Sequence, residues 1–134
     1  MSLQTPILVS NNYNANLQEY YSCSVLDAYG NVYTSLRYSN ITDYGAIQKT
    51  TYSGTTTRFL QLDSSNTPGA GTQFPTGMCF DSSGNLYYTV YGNNNIYKIT
   101  DLNTTNPSPV LVNASSTISA PFRIIMNTHP LEKN

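Results

Sequence analysis

The chain repeats one short phrase, first as Asp27–Tyr33 (DAYGNVY) and again 54 residues later as Asp81–Tyr87 (DSSGNLY). Both copies read Asp-x-x-Gly-Asn-apolar-Tyr, in which a turn of Asp, Gly and Asn leads into residues typical of a β-strand. The spacing lies among the periods that mark stacked β units. The phrase therefore predicts a tandem-repeat protein built from sheets.

Apolar and aromatic residues recur with a period of two almost everywhere, in short runs separated by Gly, Asn, Asp and Pro. This pattern predicts an all-β chain, with four antiparallel strands in each copy and no helix. The predicted strands are Tyr21–Leu26, Asn31–Tyr38, Ala46–Tyr52, Thr56–Leu62, Met78–Phe80, Leu86–Tyr91, Asn95–Ile99 and Val110–Asn113.

Both ends of the chain resemble pieces of further repeats. The segment Pro6–Ser10 (PILVS) is similar to Pro109–Asn113 (PVLVN), the fourth strand of the second copy, and Pro121–Asn127 (PFRIIMN) is similar to Pro75–Asp81 (PTGMCFD), the first. We therefore predict a single repeat domain over residues 1–134. Its parts are a last strand at 6–12, whole units at 18–63 and 74–114, and a first strand at 120–127.

The second copy resembles an NHL repeat, the blade unit of a class of β-propellers. The resemblance is carried by Pro75–Thr89 (PTGMCFDSSGNLYYT) and Gly92–Ile99 (GNNNIYKI). It implies four antiparallel strands per blade, with the Pro-x-Gly-apolar strand innermost. The chain would then hold about two and a half propeller-like blades, with residues 18–63 as blade 1 and 74–114 as blade 2.

Two and a half blades do not close a ring, since propellers need about four or more. Three arrangements stay open: a piece of a longer protein, a ring assembled from several chains, and an open stack with covered ends. We favour self-association, in which the N-terminal and C-terminal strands complete a shared blade within or between chains. Such pairing would remove sheet edges that otherwise invite aggregation.

The composition limits the partners. The 134 residues carry a net charge of −1, and only 10% of them are charged. This charge balance predicts no nucleic-acid partner. The apolar runs are shorter than the roughly 20 residues that span a bilayer, so no membrane span is predicted. Because Asn, Ser, Thr and Tyr supply the polarity, the composition favours an extracellular or virion-associated setting over a cytoplasmic one.

The sequence predicts no catalytic residue, no metal ligand and no cofactor. His129, the single histidine, stands in a Thr-His-Pro segment without an acidic or Cys neighbour, as expected of a solvated side chain. Cys23 and Cys79 are expected to be buried thiols, because equivalent strands of neighbouring repeats lie too far apart for a disulfide. Turn formation through local backbone bonds is predicted for Asp27, Asp43, Asp63, Asp81 and Asp101.

Two metal hypotheses are weaker. In the first, the carboxylates of Asp27 and Asp81 bind calcium together with the side-chain carbonyl oxygens of nearby Asn residues. Neither turn contains the Asp-x-Asp-x-Asp-Gly run typical of such sites. The family resemblance implies a related class of lactonase-like propellers, in which Glu19 would be the only match to a set of residues around a central divalent ion. A single Glu makes this hydrolase the less favoured reading.

Tyrosine is the remaining candidate for function, with 12 in the chain and no Trp. Tyr44, Tyr91 and Tyr97 stand near turns rich in Asn, so together with Asn93 and Asn94 they are the predicted binding residues. The structural alternative is that these tyrosines fill the space between sheets. Sequons for glycosylation, relevant if the protein is secreted, begin at Asn40, Asn103 and Asn113.

These features predict a non-enzymatic interaction or structural module that displays a propeller-like binding surface and is completed by self-association. Its partner would be a second copy, another protein or a glycan. A carbohydrate-binding lectin that uses Tyr and Asn is the first alternative. A metal-dependent, lactonase-like hydrolase is the second.

Overall fold

The computed structural model of the chain describes residues 19–38, 44–67, 73–113 and 124. The strands in these ranges are β1 Glu19–Leu26, β2 Val32–Tyr38, β3 Ala46–Thr50, β4 Thr56–Gln61, β5 Phe74–Phe80, β6 Leu86–Tyr91, β7 Asn95–Ile99 and β8 Val110–Asn113. They form two four-stranded antiparallel sheets in chain order, β1-β2-β3-β4 (sheet 1) and β5-β6-β7-β8 (sheet 2). The predicted all-β class and the four-stranded antiparallel units are confirmed.

The largest difference from the predicted strands is at β5, which begins at Phe74 rather than Met78. Pro75 fits within β5 because β5 is an edge strand, where a missing N–H leaves the ladder intact. The predicted end strands at 6–12 and 120–127 lie outside the described residues, except for residue 124. None of the described segments forms a helix of the length and hydrophobicity that crosses a bilayer.

The repeat extends to the register of the strands. The pairing of β1 with β2 shifts between Tyr21 and Ser24, and that of β5 with β6 shifts between Pro75 and Met78, the same positions 54 residues later. The β3–β4 and β7–β8 pairs also shift at matching positions. Since a bulge re-aims the side chains around it, copies with the same bulges direct equivalent residues to equivalent faces.

The two sheets pack through faces that are not equivalent in the repeat. The packed face of sheet 1 carries Tyr33, which the repeated phrase aligns with Tyr87 of sheet 2. The packed face of sheet 2 instead carries Leu86, Tyr88 and Val90, which point away from Tyr87 because side chains alternate along a strand. Each sheet therefore contributes a different face of the repeat unit to the contact, an arrangement called head to tail below.

Tyr33 stands at the centre of the contact between the sheets. It is fully buried, and its ring meets Phe59 of sheet 1 and Phe80 of sheet 2 edge to face, with centroid separations of 5.2 and 5.3 Å. Such aromatic pairs contribute roughly 0.5–1.5 kcal/mol beyond the area they bury. Around this contact the buried core comprises Tyr33, Ile47, Phe59, Leu60, Leu62, Met78, Leu86, Tyr88, Val90, Tyr97 and Ile99.

Both cysteines are free thiols, as predicted. Cys79 is buried, whereas Cys23 is only half-buried, although it packs against the core. Burial raises the pKa of the Cys79 thiol, with a smaller contribution from the Asp81 carboxylate. The thiolate is the reactive form, so Cys79 is held in its unreactive state.

Gly45 lies at the junction of the two sheets. Its N–H donates to the Gln73 carbonyl oxygen at 2.7 Å, and its carbonyl oxygen accepts from the Leu62 N–H at 3.1 Å. A Cβ at this position would lie 2.6 Å from Phe74 Cβ and would also collide with the Leu36 carbonyl oxygen. The close approach of β5 to sheet 1 therefore requires a residue without a side chain at position 45.

Replacing Gly45 by Ala should destabilise the protein by about 3 kcal/mol, because an extra methyl group in a filled site forces the surrounding backbone to move. Urea unfolding followed by circular dichroism measures the loss. Gly84→Ala is the matched control, since its Cβ meets nothing within 4 Å and only its φ of +83° is strained, at roughly 1–2 kcal/mol. A Gly45→Ala variant no less stable than Gly84→Ala would contradict the close approach.

Candidate functional site

The two repeated turns are held by the same hydrogen bonds. Asp27 Oδ1 accepts from the N–H groups two and four positions later, each at 2.9 Å, and Oδ2 accepts from Asn31 Nδ2 at 2.8 Å. Asp81 makes the same bonds, at 2.9, 2.9 and 2.8 Å, with Asn85 in the place of Asn31. The glycine before each Asn has a φ of 84° or 83°. The turn-forming role predicted for these aspartates is confirmed.

These hydrogen bonds favour the charged carboxylates. The side chain and then the backbone of Asn85 lower the pKa of Asp81 below its ordinary value. Burial acts to raise the pKa of Asp27, but hydrogen bonds from Asn31 outweigh it and the pKa is again lowered. Hydrogen bonds within its own loop, chiefly from the serine two residues later, lower the pKa of Asp63. All three groups are carboxylates at neutral pH.

A cleft of about 430 Å³ opens between the two repeated turns. Asp27 and Asp81 both line it, together with the rings of Tyr33 and Phe80 from the contact between the sheets. Tyr29 also lines the cleft and is 85% exposed. Head-to-tail packing thus places two carboxylates, predicted only as separate turn residues, in one concave site.

The lining of the cleft combines acceptors, a cation and aromatic rings. Asp27 and Asp81 each accept three hydrogen bonds within their own turns. Lys49 Nζ donates to the Leu102 carbonyl oxygen at 3.3 Å. Within the described ranges, no three His, Cys, Asp or Glu side chains come together as a metal site. The cleft suits hydroxyl groups as hydrogen-bond donors.

A lysine lies over a tyrosine ring in each repeat. In sheet 1, Lys49 is the cross-strand partner of Tyr33, and its Nζ lies 5.4 Å from the ring centroid. In sheet 2, Lys98 is the partner of Tyr87, with Nζ again 5.4 Å from the centroid. Opposite residues of an antiparallel pair share a face, so these two pairs mark equivalent faces of the two sheets.

The two Tyr–Lys pairs differ in what covers them. Sheet 2 packs on the first, since Phe80 meets the Tyr33 ring and the Leu102 carbonyl accepts from Lys49. The second lies on the outer face of sheet 2, defined here by Tyr87, Ile96 and Lys98, which are all partly exposed. The two equivalent tyrosines therefore differ in burial: Tyr33 is fully buried, whereas Tyr87 is partly exposed.

Among the predicted binding residues, Tyr97 lies in the core. It is 3% exposed, and its ring stacks on Tyr88 with a centroid separation of 5.4 Å. Its hydroxyl accepts a hydrogen bond from Asn93 Nδ2 at 2.8 Å, so two predicted residues contact each other. Asn94 has a φ of 59°, which makes it the left-handed residue of the β6–β7 turn. Asn93, Asn94 and Tyr97 thus have identifiable structural roles.

Tyr91 and Tyr44 are partly exposed. The Tyr91 ring stacks on Phe74 with a centroid separation of 5.0 Å. Tyr44 precedes β3 and packs against the core, and its carbonyl oxygen accepts from Gln61 Nε2 at 3.2 Å. Neither residue lines the cleft between the turns.

The other predicted positions fall in several places. Asn103 is exposed and lines the cleft, Asn113 is the last residue of β8, and Glu19 is the first residue of β1. Asn40 and His129 lie outside the described residues.

Sequence reasoning missed Lys49 and Lys98. Tyr33 and Tyr87 end the two copies of the phrase, so their equivalence was visible. The lysines stand only 49 residues apart, because the connections between the second and third strands differ in length, and a fixed repeat spacing does not find them. Aligning the second and third strands of each copy in antiparallel register would have found the lysines, because this alignment places Tyr33 opposite Lys49 and Tyr87 opposite Lys98.

The lowered carboxyl pKa values predict a loss of stability in acid. Asp27, Asp63 and Asp81 stabilise the fold above the ordinary pKa of about 4, and this stabilisation disappears as pH falls through their lower folded values. The unfolding temperature should be constant between about pH 7 and pH 5 and should fall below about pH 4. Calorimetry of Asp81→Asn should show a shallower fall. A profile parallel to that of the wild type would contradict the role of Asp81.

Comparison of the chain with protein-family models, with curated proteins and with solved structures gives no match. The candidate functional surfaces of the chain are the cleft between the repeated turns and the outer face of sheet 2.

Proposed function

We propose that the chain is a non-enzymatic interaction or structural module, in which the two sheets form part of a propeller-like surface completed by self-association. The observation that carries the proposal is the duplicated Tyr–Lys surface. Tyr33 and Lys49 receive a sheet within the chain, whereas the equivalent Tyr87 and Lys98 are partly exposed, and none of the described strands packs on them.

The covered pair supports a specific mode of binding at the uncovered one. An aromatic edge meets the Tyr33 ring and a backbone carbonyl accepts from Lys49 Nζ. A protein surface that offers an apolar ring edge and a free carbonyl at the same separation would satisfy Tyr87 and Lys98 in the same way. A contact between unlike faces can be repeated from one copy to the next. The copies form a ring when the rotation that relates neighbouring copies closes on itself.

The non-enzymatic part of the proposal is supported by the occupation of the acidic groups. The side-chain oxygens of Asp27, Asp63 and Asp81 accept hydrogen bonds from their own turns. Their pKa values are lowered, whereas a general acid that works near neutral pH requires a raised one. Their environment therefore fits turn formation better than proton transfer.

The mass of the purified chain in solution tests the proposal. We expect multi-angle light scattering to detect a multimer that forms with increasing concentration. Tyr87→Ala should weaken this association about thirtyfold, since truncating a tyrosine at the centre of an interface costs about 2 kcal/mol. Tyr29→Ala, at an exposed position that is not on the outer face, is the control. A monomer at about 100 μM would contradict self-association.

Carbohydrate binding at the cleft is a second candidate, and one observation favours it. Tyr29 is 85% exposed beside the carboxylates of Asp27 and Asp81. An exposed aromatic face next to hydrogen-bond acceptors matches the apolar and hydroxyl surfaces of a sugar. The cleft volume of about 430 Å³ lies within the range of small-molecule sites.

A glycan array probed with the purified chain tests the second candidate. Binding should be lost in Tyr29→Ala, which removes the aromatic face, and should be reduced in Asp81→Asn, which removes an acceptor charge. Tyr52→Ala is the matched control, because Tyr52 is 87% exposed and does not line the cleft. An array without signal, or equal loss in the Tyr52 variant, would argue against a sugar site.

A further inference from the structure

We infer that the cleft between the repeated turns binds an amino sugar, a carbohydrate unit that carries a free ammonium group. The inference rests on the second candidate of the proposed function, the sugar site, and names the class of sugar that this site selects. It is independent of self-association. Its basis is the distribution of aromatic, hydroxyl and charged groups over the two walls of the cleft.

The two turns present different side chains to the cleft on the same backbone. In each turn the aspartate Oδ1 accepts from the N–H two residues later at 2.9 Å, which fixes that residue beside the carboxylate. That residue is Tyr29 in the first turn and Ser83 in the second. The residue before it is Ala28 in the first turn and Ser82 in the second, and all four line the cleft. One wall therefore carries an aromatic ring where the other carries hydroxyl groups.

This asymmetry matches the two kinds of surface on a pyranose ring. Tyr29 is 85% exposed, so its ring is accessible to the C–H groups on one side of a sugar. Exposed residues with neutral hydrogen-bonding side chains also line the cleft, namely Ser82, Ser83, Thr100 and Asn103. Their hydroxyl and amide groups pair with sugar hydroxyls. A concave site with an apolar face and a few polar groups orients a small ligand.

Carboxylates outnumber ammonium groups in the lining. Asp27 and Asp81 are both charged at neutral pH, since the pKa of each is lowered. Of the described residues that line the cleft, Lys49 is the only cation. Its Nζ is already engaged, because it donates to the Leu102 carbonyl oxygen at 3.3 Å and lies 5.4 Å from the centroid of the Tyr33 ring. The cleft therefore attracts a cationic ligand and repels an anionic one.

Asp81 is the carboxylate that a ligand cation meets. The pKa of Asp27 is raised by burial and lowered more by hydrogen bonds within its turn and by the Lys49 ammonium, so this carboxylate already has a cation nearby. The pKa of Asp81 is lowered by hydrogen bonds, chiefly from Asn85, and no described cation contributes. A sugar ammonium beside Asp81 supplies a counter-charge, and the exposed Tyr29 ring adds a cation–π attraction.

Titration calorimetry of the full chain with three matched tetrasaccharides tests the inference. We expect a tetramer of glucosamine to bind about fivefold more tightly than its N-acetylated counterpart, because only the free amine carries a charge. A tetramer of galacturonic acid, which carries carboxylates, should bind most weakly. The preference for the free amine should decrease with added salt and should disappear above the pKa of the sugar amine.

Charge variants of the second turn locate the effect. Asp81→Asn should weaken binding of the glucosamine tetramer about fivefold and that of the N-acetylated tetramer by less. Asp63→Asn is the matched control, because Asp63 is also a turn carboxylate with a lowered pKa but does not line the cleft. If Asp81→Asn does not fold, Ser83→Lys gives the same test, since it adds an ammonium group beside Asp81 and the turn uses the Ser83 N–H.

The outcomes separate this inference from the sugar site itself. Equal binding of the glucosamine and N-acetylated tetramers, or an unchanged preference in Asp81→Asn and Ser83→Lys, would overturn the amino sugar and leave the sugar site standing. A chain that binds none of the three tetramers would overturn both. A tetralysine peptide that binds as tightly as the glucosamine tetramer, without loss in Tyr29→Ala, would assign the cleft to cationic peptides and also overturn the inference.

Discussion

The contact between the Tyr33 face of sheet 1 and the Leu86–Val90 face of sheet 2 is the constraint on which the rest of the structure depends. A four-stranded sheet with bulky residues on both faces is not stable until a neighbour covers it. Here the contact joins unlike faces of the two sheets.

The same packing builds the cleft. Each turn is a local structure, held by an aspartate whose oxygens accept from its own backbone and from the Asn four residues later. Neither turn is concave by itself. The cleft exists because two such corners come to the same end of adjacent sheets, with Tyr33 and Phe80 between them. Its acceptors are therefore pre-organised by hydrogen bonds that also stabilise the hairpins.

The core contains polar groups that the packing does not satisfy. The hydroxyl of Tyr88 is buried, and within the described part of the chain no hydrogen-bond partner reaches it, which costs about 1–3 kcal/mol. Burial raises the pKa values of Tyr33 and Tyr88, so both phenols stay protonated. The rings offset this cost through aromatic contacts with Phe59, Phe80 and Tyr97. Aromatic packing therefore stabilises the contact between the sheets despite the burial of hydroxyl groups.

The sequence by itself determined the local structure, namely the eight strands of the described residues and the two hairpin corners closed by aspartate. These features follow from periodicity two and from turn chemistry, which act over a few residues. Only the tertiary structure decided that Tyr97 is internal, that Asp27 and Asp81 share a cleft, and that Tyr33 is fully buried while its equivalent Tyr87 is partly exposed. Strand alternation assigns a side chain to one of two faces, but which face meets a neighbour depends on how whole sheets stack. That choice is made by contacts between residues more than 40 positions apart, such as Tyr33 and Phe80, and no local pattern encodes it.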